Sequence, residues 1–157
     1  MEIQYLQYLR DNPKGVPTAT FSIESIPLSE IEYLETKYNN NIVFPKALRE
    51  LLFLAGGYCY VLSKNIYDSQ EELQDEAREW LQKYNRTISR PFFVIDAYNA
   101  GESFLFVYLD EGEDPLVRQA YLPPRNDIQF ITNLINQKLS QYIKSSVDEV
   151  KQGYNPF

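Results

Sequence analysis

Three runs decide the fold: Phe92-Phe93-Val94-Ile95-Asp96-Ala97, Phe104-Leu105-Phe106-Val107-Tyr108-Leu109 and Leu116-Val117-Arg118-Gln119-Ala120-Tyr121-Leu122. Aromatic and β-branched residues dominate them, and such side chains suit a packed, pleated surface. The first two runs are apolar at alternate and intervening positions alike, so both of their faces need covering. Phe104–Leu109 therefore reads as a central strand. The third run is mixed, with Arg118 and Gln119 offset from the apolar positions. The links, Tyr98-Asn99-Ala100-Gly101-Glu102-Ser103 and Asp110-Glu111-Gly112-Glu113-Asp114-Pro115, have turn composition and hairpin-like length. An antiparallel meander follows.

Outward from this block the pattern turns helical. Upstream, Ser69-Gln70-Glu71-Glu72 is a capping box, in which a serine accepts the third backbone N–H and a glutamate reaches back. Leu73, Ala77, Trp80, Leu81 and Tyr84 then form an apolar stripe opposite Glu71, Asp75, Glu79 and Lys83. Earlier, Phe44-Pro45 opens a helix with Ala47, Leu48, Leu51, Leu52 and Ala55 on its buried side. Gly56-Gly57 closes it and is expected to supply a left-handed C-cap. Tyr58–Leu62 reads as a strand. Ser29-Glu30-Ile31-Glu32 is a second capping box, followed by Ile31, Leu34 and Tyr38 on one face and stopped by Asn39-Asn40-Asn41. Ile3, Leu6 and Leu9 suggest a short helix within residues 2–11, which Pro13, Gly15 and Pro17 break. Phe21–Ile26 reads as a loop or an edge strand.

Downstream, Pro123-Pro124 ends the sheet region. Asn126 or Asp127 is expected to cap a last helix striped by Ile128, Ile131, Leu134, Ile135, Leu139, Tyr142 and Ile143. The expected class is α+β, one antiparallel sheet with helices packed on it. Residues 1–28 read as an N-terminal helix and loop extension, 29–152 as a single domain, and 153–157 as a mobile tail.

Composition narrows the function. The chain has 157 residues, 44% of them hydrophobic, enough for one core without disulfide or metal. A lone cysteine, Cys59, cannot form an intramolecular disulfide. Met1-Glu2-Ile3-Gln4-Tyr5 lacks the basic and apolar regions of a secretion signal, and no run approaches the length of a membrane span, so a cytoplasmic location is expected. Fifteen basic against 22 acidic residues leave a net charge of −7. That balance argues against direct nucleic-acid binding and for a basic partner. There is no histidine. This removes Ser-His and Cys-His nucleophiles and the usual zinc sites, leaving carboxylate, lysine or tyrosine chemistry. No cofactor and no metal are expected.

The ordered features resemble the SUKH superfamily, which contains yeast Smi/Knr-type regulators, the SecY-interacting protein Syd and many bacterial toxin-immunity proteins. They are the helix with Ile31, Glu32 and Leu34, the Phe44-Pro45 step, the leucine-rich helix entering Gly56-Gly57, the acidic helix start at Ser69, and the paired strands with Gly101 and Tyr121. The resemblance covers roughly residues 29–122. Phe44-Pro45 stands where the family has Leu-Pro, and Ala55-Gly56-Gly57 where it has Asn-Gly-Gly. It implies a six-stranded or similar sheet flanked by helices, no reaction and no cofactor. It also implies an immunity protein that binds a toxin domain, a basic one such as a nuclease. A Smi/Knr-type scaffold for endogenous signalling or cell-wall synthesis proteins is the alternative. The oligomeric state stays open.

Candidate binding residues fall into two groups. Asp110, Glu111, Glu113 and Asp114, with Glu102 on the other turn, offer carboxylates to a basic partner, or simply keep turns solvated and a sheet edge charged. Tyr58, Tyr60, Tyr98 and Tyr108 offer interface anchors or pack the sheet. Phe44, Pro45, Gly56 and Gly57 carry the structural motif. Cys59 reads as a buried, inert thiol. Asp96 with Asp110 is the one carboxylate pair worth weighing for glycosidase-like chemistry.

Overall fold

A computed structural model describes residues 1–133 and 136–154. The deciding runs form strands β1 (Phe92–Tyr98), β2 (Ser103–Tyr108) and β3 (Val117–Tyr121), and Ile131–Thr132 adds a short β4. All pairings are antiparallel, in the order β1-β2-β3-β4. This is the expected meander in an α+β fold; the described residues hold four strands, where the resemblance implied about six.

Every residue of β2 is buried. Leu105 and Val107 join Phe93, Ile95 and Val117 on one side of the sheet. Phe104, Phe106 and Tyr108 join Phe92, Val94 and Ala120 on the other. The first side is covered by α1 (Gln7–Asp11), α2 (Leu28–Asn39), α3 (Lys46–Ala55) and α5 (Leu139–Lys151), through residues such as Leu9, Leu34, Leu48 and Ile143. The second is covered by α4 (Gln70–Lys83), through Leu73, Ala77 and Leu81. Each phenylalanine so enclosed contributes about 1.5–3 kcal/mol relative to an exposed ring.

The register of β1 slips between Val94 and Asp96, a β-bulge at Ile95. Asp96 then lies opposite Leu105, and directly paired residues share a face, so the bulge turns this carboxylate onto the Leu105 side. As an edge strand, β1 would offer open backbone groups. They are taken: the Gln74 amide donates to Val94 O at 2.7 Å and accepts from Val94 N at 2.8 Å, and Ser63 Oγ donates to Ala97 O at 3.1 Å.

The Ser69 cap forms, with Ser69 Oγ accepting the Glu72 N–H at 3.1 Å. Left-handed Asn40 and Asn41 end α2 as expected. Four other expectations need correction. Helix α2 starts at Leu28, because Pro27 in extended backbone already offers its carbonyl to Glu30 and Ile31; Ser29 makes no cap. Gly56 and Gly57 are not left-handed: Gly56 has φ −66°. A Cβ on Gly56 would lie 2.5 Å from Leu52 O and 2.7 Å from Ile26 Cγ1, so close approach of the Ile26 segment demands the glycine. Tyr58–Leu62 forms no strand beyond a single bridge from Tyr58 to Glu24, and that bridge is all that Phe21–Ile26 contributes. The Asn65 side chain takes the place of a ladder, accepting from Cys59 N and donating to the carbonyls of Cys59 and Leu62. The last helix begins at Leu139, not near residue 127. Tyr121 N donates to Phe130 O and Ile131 pairs with Ala120, so this stretch closes the free edge of β3, while Asp127 is held by Arg125 at 2.8 Å. The short first helix forms as expected, over residues 7–11.

The N-terminal segment belongs to the same core as the rest. Ile3, Leu6 and Leu9 are buried in it, and the fully buried Glu50 carboxylate of α3 accepts the backbone N–H groups of Gln4, Tyr5 and Leu6 at 2.8–2.9 Å. Leu134, Ile135 and residues 155–157 of the expected tail lie outside the described residues. No helix among the described residues is long and apolar enough to cross a membrane.

Candidate functional site

The acidic turn serves the fold. Neither α3 nor α5 carries a side-chain acceptor at its own N-terminus that satisfies all its free N–H groups. Glu113 supplies both its carboxylate to Lys46 N (3.1 Å) and its carbonyl to Ala47 N (2.9 Å). Asp114 accepts from Ser140 N at 3.0 Å and from Ser140 Oγ at 2.6 Å. One turn thus caps two helices, where a negative charge also meets the positive end of each helix dipole. Glu111 pairs with both terminal nitrogens of Arg118 and with Leu116 N, and Arg118 holds its carboxyl below the usual range. Asp110 is held by Arg90 at 2.6 Å and is likewise depressed. The structure therefore places these four carboxylates in internal contacts.

The tyrosines separate. Two guanidinium groups cover the Tyr108 ring, Arg90 at 3.8 Å and Arg118 at 4.6 Å from its centroid. Tyr60 is buried, with its hydroxyl donating to Asn12 O. Tyr58 lies half-buried beside the exposed Phe21 ring, 5.9 Å between centroids. Tyr98 lines two open cavities. Glu102 is exposed next to one of them. Phe44 and Pro45 are buried, with Pro45 just before α3. Asp96 and Asp110 are not a pair: Asp96 lies opposite Leu105, whereas Leu109 already bonds Pro91, so along the hairpin the two backbones are about 17 Å apart. A glycosidase needs its carboxyls within about 10 Å.

The first cavity, about 380 Å3, is a mostly apolar cleft between the short 3-10 turn Ser63–Ile66 and the β1–β2 turn. Ile66, Tyr67, Ala97, Tyr98 and Ala100 line it, and no basic residue does. Ile66 is 81% exposed, the most exposed large hydrophobic side chain among the described residues. Trp80 lies beneath: a Cβ on Gly101 would fall 2.5 Å from its indole, and its ring centroid is 6.4 Å from that of Tyr67. Burial raises the Tyr67 hydroxyl pKa, and the nearby carboxylates of Glu76, Asp96 and Glu72 raise it further.

Asp96 fastens the two walls. It is 1% exposed and accepts from Ser63 N (3.1 Å), Ser63 Oγ (2.8 Å), Ala97 N (3.0 Å) and Tyr98 OH (2.7 Å). Burial raises its pKa against the pull of these bonds. The 3-10 turn, the β1 edge and the Tyr98 ring are thereby held in one geometry. Below the turn, Lys64 is also buried, and its ammonium donates to Gly56 O at the end of α3. Burial pushes its pKa down. Cys59 is fully buried, which pushes its thiol up to about 11 and leaves it protonated at neutral pH.

Sequence reading found Tyr98 and Glu102 but not Ile66, Tyr67 or the Ser63–Asp96 tie. The strand-like composition of Tyr58–Leu62 gives no sign of the turn that follows it. Among the described residues no three acidic or thiol side chains are grouped to hold a metal ion. No family model matches the chain, and neither a curated protein nor a solved structure matches it.

Proposed function

We propose that this chain is a non-enzymatic protein-binding module that receives a basic partner at the cleft between Ser63–Tyr67 and Ala97–Gly101. The observation that supports this reading is the 81% exposure of Ile66 on a mostly apolar cleft that no basic residue lines. An exposed apolar side chain on such a cleft suits a binding anchor, and the net negative charge of the chain speeds encounter with a cationic surface. Together with the SUKH-like sequence pattern and the net charge of −7, it favours an immunity protein that neutralises a basic bacterial toxin, such as a nuclease, by binding it. The test is co-expression with the toxin domain encoded beside this gene. Host survival, with a complex that weakens as salt rises, is the expected result. Death of the host, with no complex, overturns the immunity reading; endogenous signalling or cell-wall synthesis proteins in a pull-down then favour a Smi/Knr-type scaffold.

A further inference from the structure

A second cavity that Tyr98 lines, also about 380 Å3, opens between β1 and α5. Its polar lining comes from Asp96, Tyr98, Gln137, Tyr142, Ser145 and Glu149, and it contains no basic residue. The volume lies at the small end for ligand sites and matches one head group or side chain rather than an extended ligand. Asp96 sits at its base, and all four donors to it are neutral groups. Lys64, whose charge could answer it, is directed to Gly56 O. Glu149 on α5 is exposed at the mouth. Tyr98 and Tyr142 are partly buried, and burial raises both hydroxyl pKa values, so both stay neutral.

We propose that this cavity is a guanidinium pocket, filled by an arginine side chain of the partner whose apolar residue occupies the neighbouring cleft. Glu149 and the buried Asp96 supply negative charge, the Tyr98 and Tyr142 side chains line the cavity, and Gln137 and Ser145, joined by a 3.2 Å hydrogen bond, add polar groups. A guanidinium group matches all three: it is planar, weakly hydrated, stacks on aromatic faces and carries five N–H donors. An ammonium group is more strongly hydrated and gains less from the rings. The inference rests on the protein-binding reading for the source of the arginine, but the pocket can be tested without the partner.

The probe is N-acetyl-arginine methylamide, titrated into the full chain by calorimetry and by NMR. The citrulline analogue, of the same shape but neutral, and free L-arginine serve as comparators. Saturable binding of the blocked arginine is expected, weakened roughly fivefold or more in Glu149→Gln and absent for the citrulline analogue. The remote change Glu24→Gln should leave it unaltered. Equal binding of arginine and citrulline analogues, or no change in Glu149→Gln, overturns the pocket. Free L-arginine binding much more tightly than the blocked residue overturns the partner as its source. The guanidinium titration needs no partner, so its failure bears on the pocket, whereas failure of the native chain to bind a partner bears on the protein-binding reading.

Discussion

Asn99 and Ala100 both hold left-handed backbone, with φ of 53° and 51°. Asparagine tolerates this; alanine does so only at a penalty, because its Cβ crowds the carbonyl. The turn holds because Gly101 behind it lies flat on Trp80 and Ser63 bonds the Ala97 carbonyl before it. Ala100→Gly should therefore stabilise the protein by about 0.5–1 kcal/mol, measured by urea unfolding. A loss of stability would show that Ala100 makes contacts worth more than the strain. At Glu111 the sign of the pH dependence can be worked out. Its folded pKa lies below the ordinary 4.5 because of Arg118. The contribution is then fully present above pH 4.5 and disappears as pH falls through the depressed folded value. Glu111→Gln should lose less stability than the native chain as pH falls below 4.5 and through the depressed folded value. An identical acid limb in both proteins would contradict the assigned pair.

Elements here are completed by residues far away in sequence. Helices α3 and α5 receive N–H acceptors from Glu113 and Asp114, 67 and 26 residues distant from Lys46 and Ser140. Asp114→Ala should cost about 1 kcal/mol, as loss of a cap does, and hydrogen exchange should accelerate first in the opening turn of α5. Unchanged exchange there would mean that water replaces the carboxylate without loss. Local sequence displayed the Ser69 cap because both partners lie within one turn of chain. It could not display the acidic turn's role, since a run of Asp and Glu looks the same whether it faces water or two helix ends. The same limit hid the end of the sheet. Ile128 and Ile131 fit a helical stripe, yet the open edge of β3 captured Ile131 and Thr132 as a strand. Tertiary demand for backbone partners overrode local periodicity.

At the scale of the whole molecule, the sheet is a double-sided partition, and the apolar run Phe104–Leu109 announced it. A strand buried at every position needs helices on both faces, and α4 stands alone on one of them. The aromatic-rich strands and their order were legible for that reason. The cleft was not, because it arises where the non-strand segment after Cys59 meets the β1–β2 turn, and Asp96 reaches it only through a bulge that period-two reading does not register. Ile66 is a solitary apolar residue in sequence and becomes informative only through its exposure beside Tyr67 and Tyr98. The central claim is that a partner binds there. The most direct measurement is host survival when the cognate toxin domain is co-expressed with the native chain or with Ile66→Asp, both checked for equal thermal stability. The account predicts that the native chain protects and that Ile66→Asp, folded but with a charge on the anchor, does not. Equal protection by both would contradict it.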